Sequence, residues 1–311
     1  CLRDPVLYRF INAVHYKTDY EYKLYPTYDF SCPIVDSIEG VTHVLRSTEF
    51  SDRDEMYYKI LDLLKMPKPC IFSYGKVEFE DAVLSKRKIK ALIAENKVND
   101  WDDMRLLTIK GIMNAGMSRE GLMEFSKSMG FSKKVVKMSL DKLWGINRKI
   151  INKISTRFSY VEPEHVVLIV KDHINTMVEI PKFSRNKELG NRNLYRNNKI
   201  MISKLDFDSC DNDEEVTLMN WGNMFLNKKD FTLTKHLDGD YKKTKHKILW
   251  ICNDRRRTIT LLKVNGLKIE KNSVLVDNII DNYENESYIE ILKKGYYKKY
   301  SDRVFVEINN G

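Results

Sequence analysis

A serine followed by a cluster of basic residues is the first feature of this sequence that could act chemically. The letters VLSKRK occupy residues 83–88, directly before a segment with helical spacing. The ammonium group of Lys86 would supply a mobile positive charge, and the Ser85 hydroxyl would supply a hydrogen-bond donor, as binding of a polyphosphate requires. Taken alone, the segment is explained more simply as the basic start of a helix. The loop GxxxxGK[ST] is absent, which argues against a P-loop.

The cysteines and histidines lack the spacing of a metal site. The five cysteines are scattered without a CxxC pair, at Cys1, Cys32, Cys70, Cys210 and Cys252. We therefore expect free thiols, a reducing compartment and no structural metal. The acidic run at residues 206–213 resembles a calcium loop but lacks the required Gly and terminal Glu, so it predicts a polar turn.

The elements that must position these residues fall into three regions. With 311 residues, the chain is long enough for two or three domains. Residues 1–77 mix short apolar strands with a helix, residues 78–160 have helical spacing, and residues 161–311 change to a period of two. Many short strands without intervening helices predict closed barrels or a sandwich. The predicted strands of the third region are 166–170, 176–180, 199–205, 216–220, 247–252, 258–264 and 303–308.

The second region ends in a strongly basic segment. Residues 131–157 hold eight basic residues against one acidic residue, Asp141. We expect Ser132 to begin a helix with Val135, Val136 and Leu140 on its apolar face. The basic face of this helix is either solvated or directed at phosphates, and the sequence leaves both interpretations open.

Composition limits the classes of protein. Hydrophobic residues make up 42%, so a packed core is available, and the net charge of +9 favours anionic partners such as nucleic acid. No apolar run approaches the roughly 20 residues that a membrane helix needs, and no signal peptide opens the sequence. The sequence begins CLRDP without a Met, and we expect that an N-terminal part is missing.

Several segments resemble the class I aminoacyl-tRNA synthetases for glutamate and glutamine, in their eukaryotic and archaeal branch. Residues 25–50 read YPTYDFSCPIVDSIEGVTHVLRSTEF, and VLSKR at residues 83–87 is similar to the KMSKS signature of this family. Similar segments follow the family along nearly the whole chain: RDPVLYR at 3–9, DWDDMR at 100–105, NWGN at 220–223 and DYKKT at 240–244. Met104 and Leu107 depart from the family, which has prolines there.

The resemblance implies a multidomain fold that combines α/β and all-β parts. Residues 1–77 would be the second half of a Rossmann-type catalytic domain with its acceptor-binding segment. Residues 78–160 would hold the KMSKS-like loop and a helical stem-contact region, and residues 161–311 would form anticodon-binding β-barrels, two in number. A HIGH-like motif is not found in these residues. We therefore expect this chain alone not to activate glutamate.

The resemblance also implies roles for residues at matching positions. Lys86 is the expected catalytic residue, which stabilises charge on the ATP phosphates while the amino-acid carboxylate attacks. The expected amino-acid pocket consists of Tyr28, Asp29, Phe30, Ser31, Cys32 and Arg46. The expected ATP contacts are Glu49, Val83, Leu84, Ser85, Lys86 and Arg87, with Lys76 and Val77 beside the adenosine. Asp52 matches a contact of the tRNA acceptor stem.

Arg46 decides between the two amino acids within this resemblance. A guanidinium group pairs with a γ-carboxylate through two hydrogen bonds, whereas a neutral γ-amide leaves the charge unpaired. The sequence thus favours glutamate. A surface salt bridge is the alternative role of Arg46, and a glutaminyl enzyme or a non-catalytic tRNA-binding protein of the same fold is the alternative function.

The resemblance implies further ligands and partners. ATP with Mg²⁺, L-glutamate and tRNA(Glu) are the expected substrates, in the cytoplasm and away from membranes, and association with other synthetases would run through the missing regions. His43 is expected to be a packed or hydrogen-bonded residue beside the pocket rather than a general base. Residues 254–257 would meet anticodon phosphates or form a hairpin tip. Tyr296 and Tyr297, between lysines, would stack on bases or lie in an edge strand.

Overall fold

Residues 2–80 and 82–308 are described by the structure, a computed structural model, in which the chain forms two units. Unit 1 consists of Cys1–Glu80 and Met129–Met138, and unit 2 consists of Asp81–Ser128 and Ser139–Gly311. Within the described residues, every helix is too short or too polar to cross a bilayer.

Unit 1 pairs its strands two by two beside two helices. Its elements are β1 (Tyr8–Phe10), β2 (Leu24–Pro26), α1 (Tyr28–Ile38), β3 (His43–Ser47), α2 (Asp54–Leu64), β4 (Cys70–Tyr74), β5 (Val77–Phe79) and β6 (Val136–Met138). The pair β1–β2 is antiparallel, whereas β3–β4 and β5–β6 are parallel. A 3-10 helix, Thr48–Arg53, joins β3 to α2.

Helix α2 supplies most of the buried apolar side chains of unit 1. Met56, Tyr57, Ile60 and Leu61 recur at helical spacing and are buried. The Tyr57 hydroxyl donates a hydrogen bond of 2.8 Å to Asp36 Oδ2 of α1, which ties the two helices together. The helix ends at a residue with a left-handed backbone, Lys65 at φ 53°.

Four helices occupy the middle of the chain: α3 (Lys86–Ala94), α4 (Ile109–Asn114), α5 (Arg119–Met129) and α6 (Asp141–Ile154). Ser118 Oγ accepts a hydrogen bond from the Gly121 amide and so caps α5, and Ser118 donates to Asn147 Oδ1 of α6. The predicted helix from Ser132 is wrong. Val136 instead begins β6, because it pairs in parallel with Val77.

The remainder of unit 2 is built of strands, with one short helix, α7 (Lys204–Ser209). The strands are β7 (Thr156–Phe158), β8 (Tyr160–Val161), β9 (His165–Val170), β10 (Thr176–Pro181), β11 (Asn191–Arg196), β12 (Lys199–Ser203), β13 (Glu214–Leu218), β14 (Gly222–Asn227), β15 (Thr232–Lys235), β16 (Lys247–Ile248), β17 (Trp250–Cys252), β18 (Arg256–Asn265), β19 (Lys268–Asp277), β20 (Tyr288–Ile291), β21 (Gly295–Ser301) and β22 (Val304–Glu307). Three 3-10 helices complete the list of helices, at Lys187–Leu189, Asn253–Arg255 and Asn278–Asn282.

Two barrel-like sheets of seven strands result. The first has the order β16-β13-β14-β15-β9-β12-β17, and the second has the order β7-β20-β21-β22-β18-β19-β8, while β10 and β11 form a separate hairpin. Alternate side chains fill each interior, such as Ile200 and Met224 in the first sheet and Ile259 and Phe305 in the second. The predicted α/β part and barrel region are therefore confirmed.

Two local predictions about the barrels are wrong. Strand β21 lies between β20 and β22, so Tyr296 and Tyr297 are not in an edge strand. Tyr297, Lys298 and Lys299 are buried, and no face of Tyr297 is available to stack on a base. The predicted polar turn at residues 206–213 is also wrong in its first half, which belongs to α7.

Candidate functional site

Arg46 lies in β3, and its side chain is buried among aromatic rings. The residue is only 6% exposed, although it is one of the longest cationic side chains. Its guanidinium carbon lies 4.7 Å from the centroid of the Phe50 ring and 5.7 Å from that of Tyr57. The alternative role of Arg46 in a surface salt bridge is therefore wrong, because its side chain is buried.

The charge of Arg46 is only loosely paired within the protein. Its Nη1 lies 3.8 Å from Asp54 Oδ1, beyond hydrogen-bond distance. Among the described residues, neither Arg46 Nε nor Asp54 Oδ1, both buried, has a hydrogen-bond partner. Burial raises the pKa of Asp54, and the charge of Arg46 only partly offsets this. Arg46 thus retains donors that could bind a carboxylate ligand.

The first turn of α1 brings Tyr28 and Cys32 near Arg46. The Tyr28 ring lies 5.5 Å from the Phe50 ring. A hydrogen bond with Cys32 is the largest cause that raises the pKa of Tyr28, and burial raises it further. The positive charge of Arg46 partly offsets this rise. Cys32 Sγ donates to Asp36 Oδ2 at 3.3 Å. Tyr28, half exposed at 55%, remains accessible to a ligand.

The other predicted pocket residues of α1 have structural contacts. Asp29 Oδ2 accepts a 2.6 Å hydrogen bond from Arg53, and the Phe30 ring packs 5.4 Å from the Tyr8 ring. Ser31 Oγ donates back to the Thr27 carbonyl. Of the two roles expected for His43, the structure shows the hydrogen-bonded one: its side chain is exposed rather than packed, and its Nδ1 lies 3.1 Å from Thr42 Oγ1.

The sequence analysis did not identify Phe50, Asp54 and Tyr57 as surroundings of Arg46. The 3-10 helix that follows β3 carries Phe50 over the guanidinium group, and the first two turns of α2 add Asp54 and Tyr57. A sequence signal existed for Tyr57, which lies on the apolar face of a helical pattern. The direction in which the chain turns between β3 and α2 had no such signal.

A second group in unit 1 contains Glu49, Lys76 and Val77, which the sequence analysis assigned to ATP. Lys76 Nζ lies 2.8 Å from Glu49 Oε1 and 3.1 Å from Glu78 Oε1. The hydrogen bond from Lys76 lowers the pKa of Glu49 and raises that of Lys76. Val77 begins β5 next to this pair. Asp52 is exposed on the 3-10 helix between β3 and α2.

The segment VLSKR lies in unit 2 and leads into α3. Val83, Leu84 and Ser85 are extended, and Lys86 is the first residue of the helix. Ser85, Lys86 and Arg87 are exposed, and Lys86 forms no ion pair with any described residue. The Ser85 side chain does not cap the helix, so the first helical amides stay available to an anion.

The segment DWDDMR forms a closed network that holds its loop. Arg105 Nε and Nη2 donate to the two oxygens of Asp103 at 2.8 and 2.6 Å. Burial would raise the pKa of Asp103, but hydrogen bonds from Arg105 and from the Asn99 amide outweigh it and lower the pKa to about 2. Arg105 also donates to the Leu267 carbonyl. This network maintains the loop although Met104 and Leu107 replace the prolines of the family.

The charged segment at residues 254–257 is largely engaged within the protein. Asp254 accepts hydrogen bonds from Asn197, and the Arg255 guanidinium lies 3.4 Å from the centroid of the Tyr195 ring. Arg257 pairs with Asp281 at 2.6 Å. The hairpin-tip prediction is wrong, because the segment forms a 3-10 turn and the start of β18.

A basic hollow of about 460 Å³ lies elsewhere on the barrels. Lys182, Arg185 and Arg192 contribute its positive charge, and Phe183 and Tyr296 contribute rings to its wall. The Arg157 guanidinium lies 3.4 Å from the centroid of the Phe183 ring. A positive hollow with aromatic walls suits a phosphate together with an unstacked base.

Comparison with known proteins gives two matching family profiles. Residues 1–153 match the profile described as tRNA synthetases class I (E and Q), catalytic domain. Residues 155–242 match the corresponding anti-codon binding domain. Together, the two profiles cover the chain from unit 1 into the first barrel-like sheet.

Curated relatives agree with these profiles. A protein of Enterocytozoon bieneusi named "Probable glutamate--tRNA ligase, cytoplasmic" is 39% identical over 92% of this chain and 47% of its own length. A protein of Encephalitozoon cuniculi with the same name is 36% identical over 100% of this chain and 48% of its own length. The "Bifunctional glutamate/proline--tRNA ligase" of Mus musculus is 40% identical over 81% of this chain and 17% of its own length. The chain thus spans about half the length of the first two relatives.

Proposed function

The chain belongs to the class I aminoacyl-tRNA synthetases for glutamate and glutamine, and from this premise we propose that its protein attaches L-glutamate to tRNA(Glu). In the first step, a carboxylate oxygen of glutamate attacks the α-phosphorus of ATP, and pyrophosphate leaves. In the second step, a terminal ribose hydroxyl of the tRNA attacks the carbonyl carbon of glutamyl-adenylate, and AMP leaves. ATP enters as its magnesium complex and is a substrate.

The observation that carries this proposal is the buried, loosely paired guanidinium of Arg46. A γ-carboxylate would find unused donors there, between the rings of Phe50 and Tyr57. Hydrogen bonds between two charged groups contribute about 1.5–3 kcal/mol each. A γ-amide would gain less and would leave the buried cation without a counter-ion. Glutamate is therefore the preferred substrate, and Tyr28 is its nearest aromatic neighbour in α1.

The remaining pocket residues support the ligand through the backbone of α1. Asp29, held by Arg53, lies next to Tyr28 in the sequence and is suited to the substrate ammonium group. Phe30 and Ser31 hold the helix start in place through Tyr8 and Thr27. The Cys32 thiol fixes the Tyr28 side chain.

Each unit separately offers residues whose chemistry suits a part of ATP. In unit 1, Glu49 and Lys76 form a charged pair beside Val77, which suits the adenosine portion. In unit 2, Lys86 has an exposed ammonium group without an internal partner, which suits the phosphates. The backbone of residues 83–87 and the first amides of α3 would add donors to the leaving pyrophosphate.

The tRNA would contact the protein along its length. We assign residues 1–77 to the catalytic domain with Asp52 at the acceptor stem, residues 78–160 to the stem-contact region, and residues 161–311 to the anticodon-binding barrels. The net charge of +9 supports binding of a polyanion. The names of the relatives support a cytoplasmic location and, through the bifunctional mouse protein, an association with other synthetase activities.

Amino-acid-dependent ATP–pyrophosphate exchange by the full-length gene product, with tRNA(Glu) present, tests the proposal. We expect exchange with glutamate and at most 1% of that rate with glutamine, since loss of the buried charge pair corresponds to about 2.7 kcal/mol or more. Preference for glutamine would establish the glutaminyl alternative. Binding of tRNA without exchange for either amino acid would establish a non-catalytic tRNA-binding protein.

A further inference from the structure

Three side chains with metal-binding chemistry meet beside the first barrel-like sheet, and the proposed function gives none of them an individual role. Cys210 follows the end of α7, Glu214 begins β13, and His246 directly precedes β16. Their ligand atoms, one sulfur, one carboxylate oxygen and one imidazole nitrogen, all lie within 4.8 Å of one another. The sequence did not indicate this group, because the fold brings the three residues together from separate segments.

The imidazole of His246 lacks the partner that a buried nitrogen normally has. Its Nε2 atom is buried and accepts or donates no hydrogen bond among the described residues. It lies 3.6 Å from Glu214 Oε1, which is too long for a hydrogen bond. Leaving a buried polar atom unsatisfied costs about 1–3 kcal/mol. A third group between Nε2 and the carboxylate would remove this cost.

The other two side chains are held in place by the backbone around them. Glu214 Oε2 accepts a 2.8 Å hydrogen bond from the Asp211 amide, which leaves Oε1 directed at His246. Cys210 is 3% exposed, and its Sγ donates to the Asp206 carbonyl at 3.1 Å. The backbone carbonyl of His246 accepts from the Thr217 amide of β13. Glu214 is the first residue of β13, and Cys210 and His246 directly adjoin α7 and β16.

We infer that Cys210, Glu214 and His246 form a zinc site that joins α7, β13 and β16 of the first barrel-like sheet. In a tetrahedral zinc site with bond lengths of about 2.0–2.3 Å, neighbouring ligand atoms are about 3.4–3.6 Å apart. Glu214 Oε1 and His246 Nε2 already have this separation. Cys210 Sγ lies within 4.8 Å of both atoms and moves closer to them when the metal binds, and water supplies the fourth ligand.

The donor set selects zinc over the other common divalent ions. A thiolate and an imidazole are ligands of Zn²⁺, whereas Ca²⁺ and Mg²⁺ require six or more oxygen ligands. The thiolate and the carboxylate carry two negative charges, which neutralise Zn²⁺ in a poorly hydrated site. Burial, reinforced by Glu214, raises the pKa of the Cys210 thiol to about 11 without a metal. Zinc binding at neutral pH therefore releases a proton from this thiol.

Cobalt substitution in the 311-residue chain tests the site. One equivalent of Co²⁺ should produce a thiolate-to-cobalt charge-transfer band with the visible spectrum of a tetrahedral ion, and Zn²⁺ should remove both. Cys210→Ser should abolish the charge-transfer band. Cys252→Ser is the matched control, and this variant should retain the band. Cys252 is as buried as Cys210, and its Sγ donates a hydrogen bond to the Tyr195 carbonyl. His246→Asn and Glu214→Gln should each weaken zinc binding at least tenfold.

A measurement on the unaltered chain does not depend on the folding of variants. Zn²⁺ should protect Cys210 from alkylation, as measured by mass spectrometry of its peptide, and should leave the exposed Cys70 reactive. Absence of the charge-transfer band in the unaltered chain, or its persistence in Cys210→Ser, would overturn the inference. Equal alkylation of Cys210 with and without Zn²⁺ would do the same.

Discussion

Arg46 in unit 1 and Arg105 in unit 2 each have an aspartate as their nearest acid, but the two pairs are built differently. Arg105 donates two hydrogen bonds, of 2.8 and 2.6 Å, to Asp103, and both side chains are fixed. Arg46 approaches Asp54 no closer than 3.8 Å and keeps a buried Nε without a partner. The pKa of Asp103 is lowered to about 2, whereas burial raises that of Asp54.

This difference is the one expected between a structural ion pair and the ligand site that we propose at Arg46. A bidentate pair with every oxygen occupied holds a loop and has no donor left for a ligand. A buried cation with unused donors destabilises the free protein and is stabilised when an anion binds. The same contrast separates two lysines of unit 2: Lys298 is buried and contacts Glu286 and the Met113 carbonyl, whereas Lys86 is exposed and unpaired among the described residues.

Unit 1, which contains Arg46, buries fewer apolar side chains than unit 2, which contains Arg105. Among residues 2–80 and 129–138, the buried apolar side chains are Met56, Tyr57, Ile60 and Leu61, apart from Pro33 and Pro69. The two barrel-like sheets of unit 2 bury many more and pair most of their strands on both sides. Short two-stranded sheets such as β3–β4 contribute little stability by themselves. The position of the Arg46 side chain therefore depends on α1 and α2.

Replacing Arg46 should have the largest effect on the proposed activity. In the full-length protein, Arg46→Gln should lower kcat/KM for glutamate about 1,000-fold, because loss of a buried charge pair costs about 4 kcal/mol. The change is measured by glutamate-dependent ATP–pyrophosphate exchange. Lys59→Gln, which removes a positive charge from the exposed face of α2, is the control and should leave kcat/KM within twofold. An equal loss in both variants would contradict the ligand role of Arg46.

Replacing Lys86 should affect the rate of adenylate formation and not stability. Lys86→Ala should slow single-turnover adenylate formation about 100- to 500-fold, as expected when one well-aimed charge is removed from a transition state. Lys90→Ala, farther along the exposed side of α3, serves as the control. Melting temperatures of both variants should match that of the unaltered protein. A large fall in melting temperature with Lys86→Ala would show that Lys86 has a structural role and would contradict this prediction.

Replacing Asp103 should lower stability and leave the amino-acid preference unchanged. Asp103→Asn should lower the free energy of unfolding by about 3 kcal/mol, because it leaves the half-buried Arg105 without its counter-ion. Urea unfolding monitored by tryptophan fluorescence measures this change. The relative rates of exchange with glutamate and glutamine should stay the same in the variant. A shift in amino-acid preference would show that the two pairs are not functionally separate.

Acid should weaken the Asp103 pair over a defined pH range. The pKa of Asp103 is about 2 in the folded protein, below the ordinary value near 4, so the folded state binds fewer protons between these values. Its contribution of about 2 kcal/mol is therefore complete above pH 4 and is lost as the pH falls from about 4 to about 2. Urea unfolding across this range should show a steeper pH dependence than in Asp103→Asn. Identical slopes would contradict the lowered pKa.

Local sequence patterns predicted several elements well. The apolar spacing of α2 and the serine cap of α5 depend on neighbours within a few residues. Residues 1–77 contain a helix and residues 78–160 contain several, as the helical spacing predicts. The period-two segments of the third region likewise became strands, with boundaries shifted by a few residues. Family resemblance added the order of the domains and identified Arg46, which no spacing rule would have singled out.

Predictions were wrong where the structure of a segment depends on residues that are distant in the sequence. Val136 joined a strand because Val77 lies beside it, although the local sequence favours a helix. Tyr297 and its lysines are interior because β20 and β22 flank their strand. The loose pairing of Arg46 depends on the turn that brings Asp54 to 3.8 Å rather than to hydrogen-bond distance.

The sequence alone determined the residue types and local patterns of this protein: a basic segment at the start of a helix, an amphipathic helix in residues 1–77, and a β-rich C-terminal half. It determined these because residue type and short-range periodicity depend on the chain itself. Only the tertiary structure decided which charges are satisfied internally and which remain for ligands, as in the contrast between Arg105 and Arg46. Hydrogen bonding requires distances within a few tenths of an ångström, and such distances between remote residues arise only from packing.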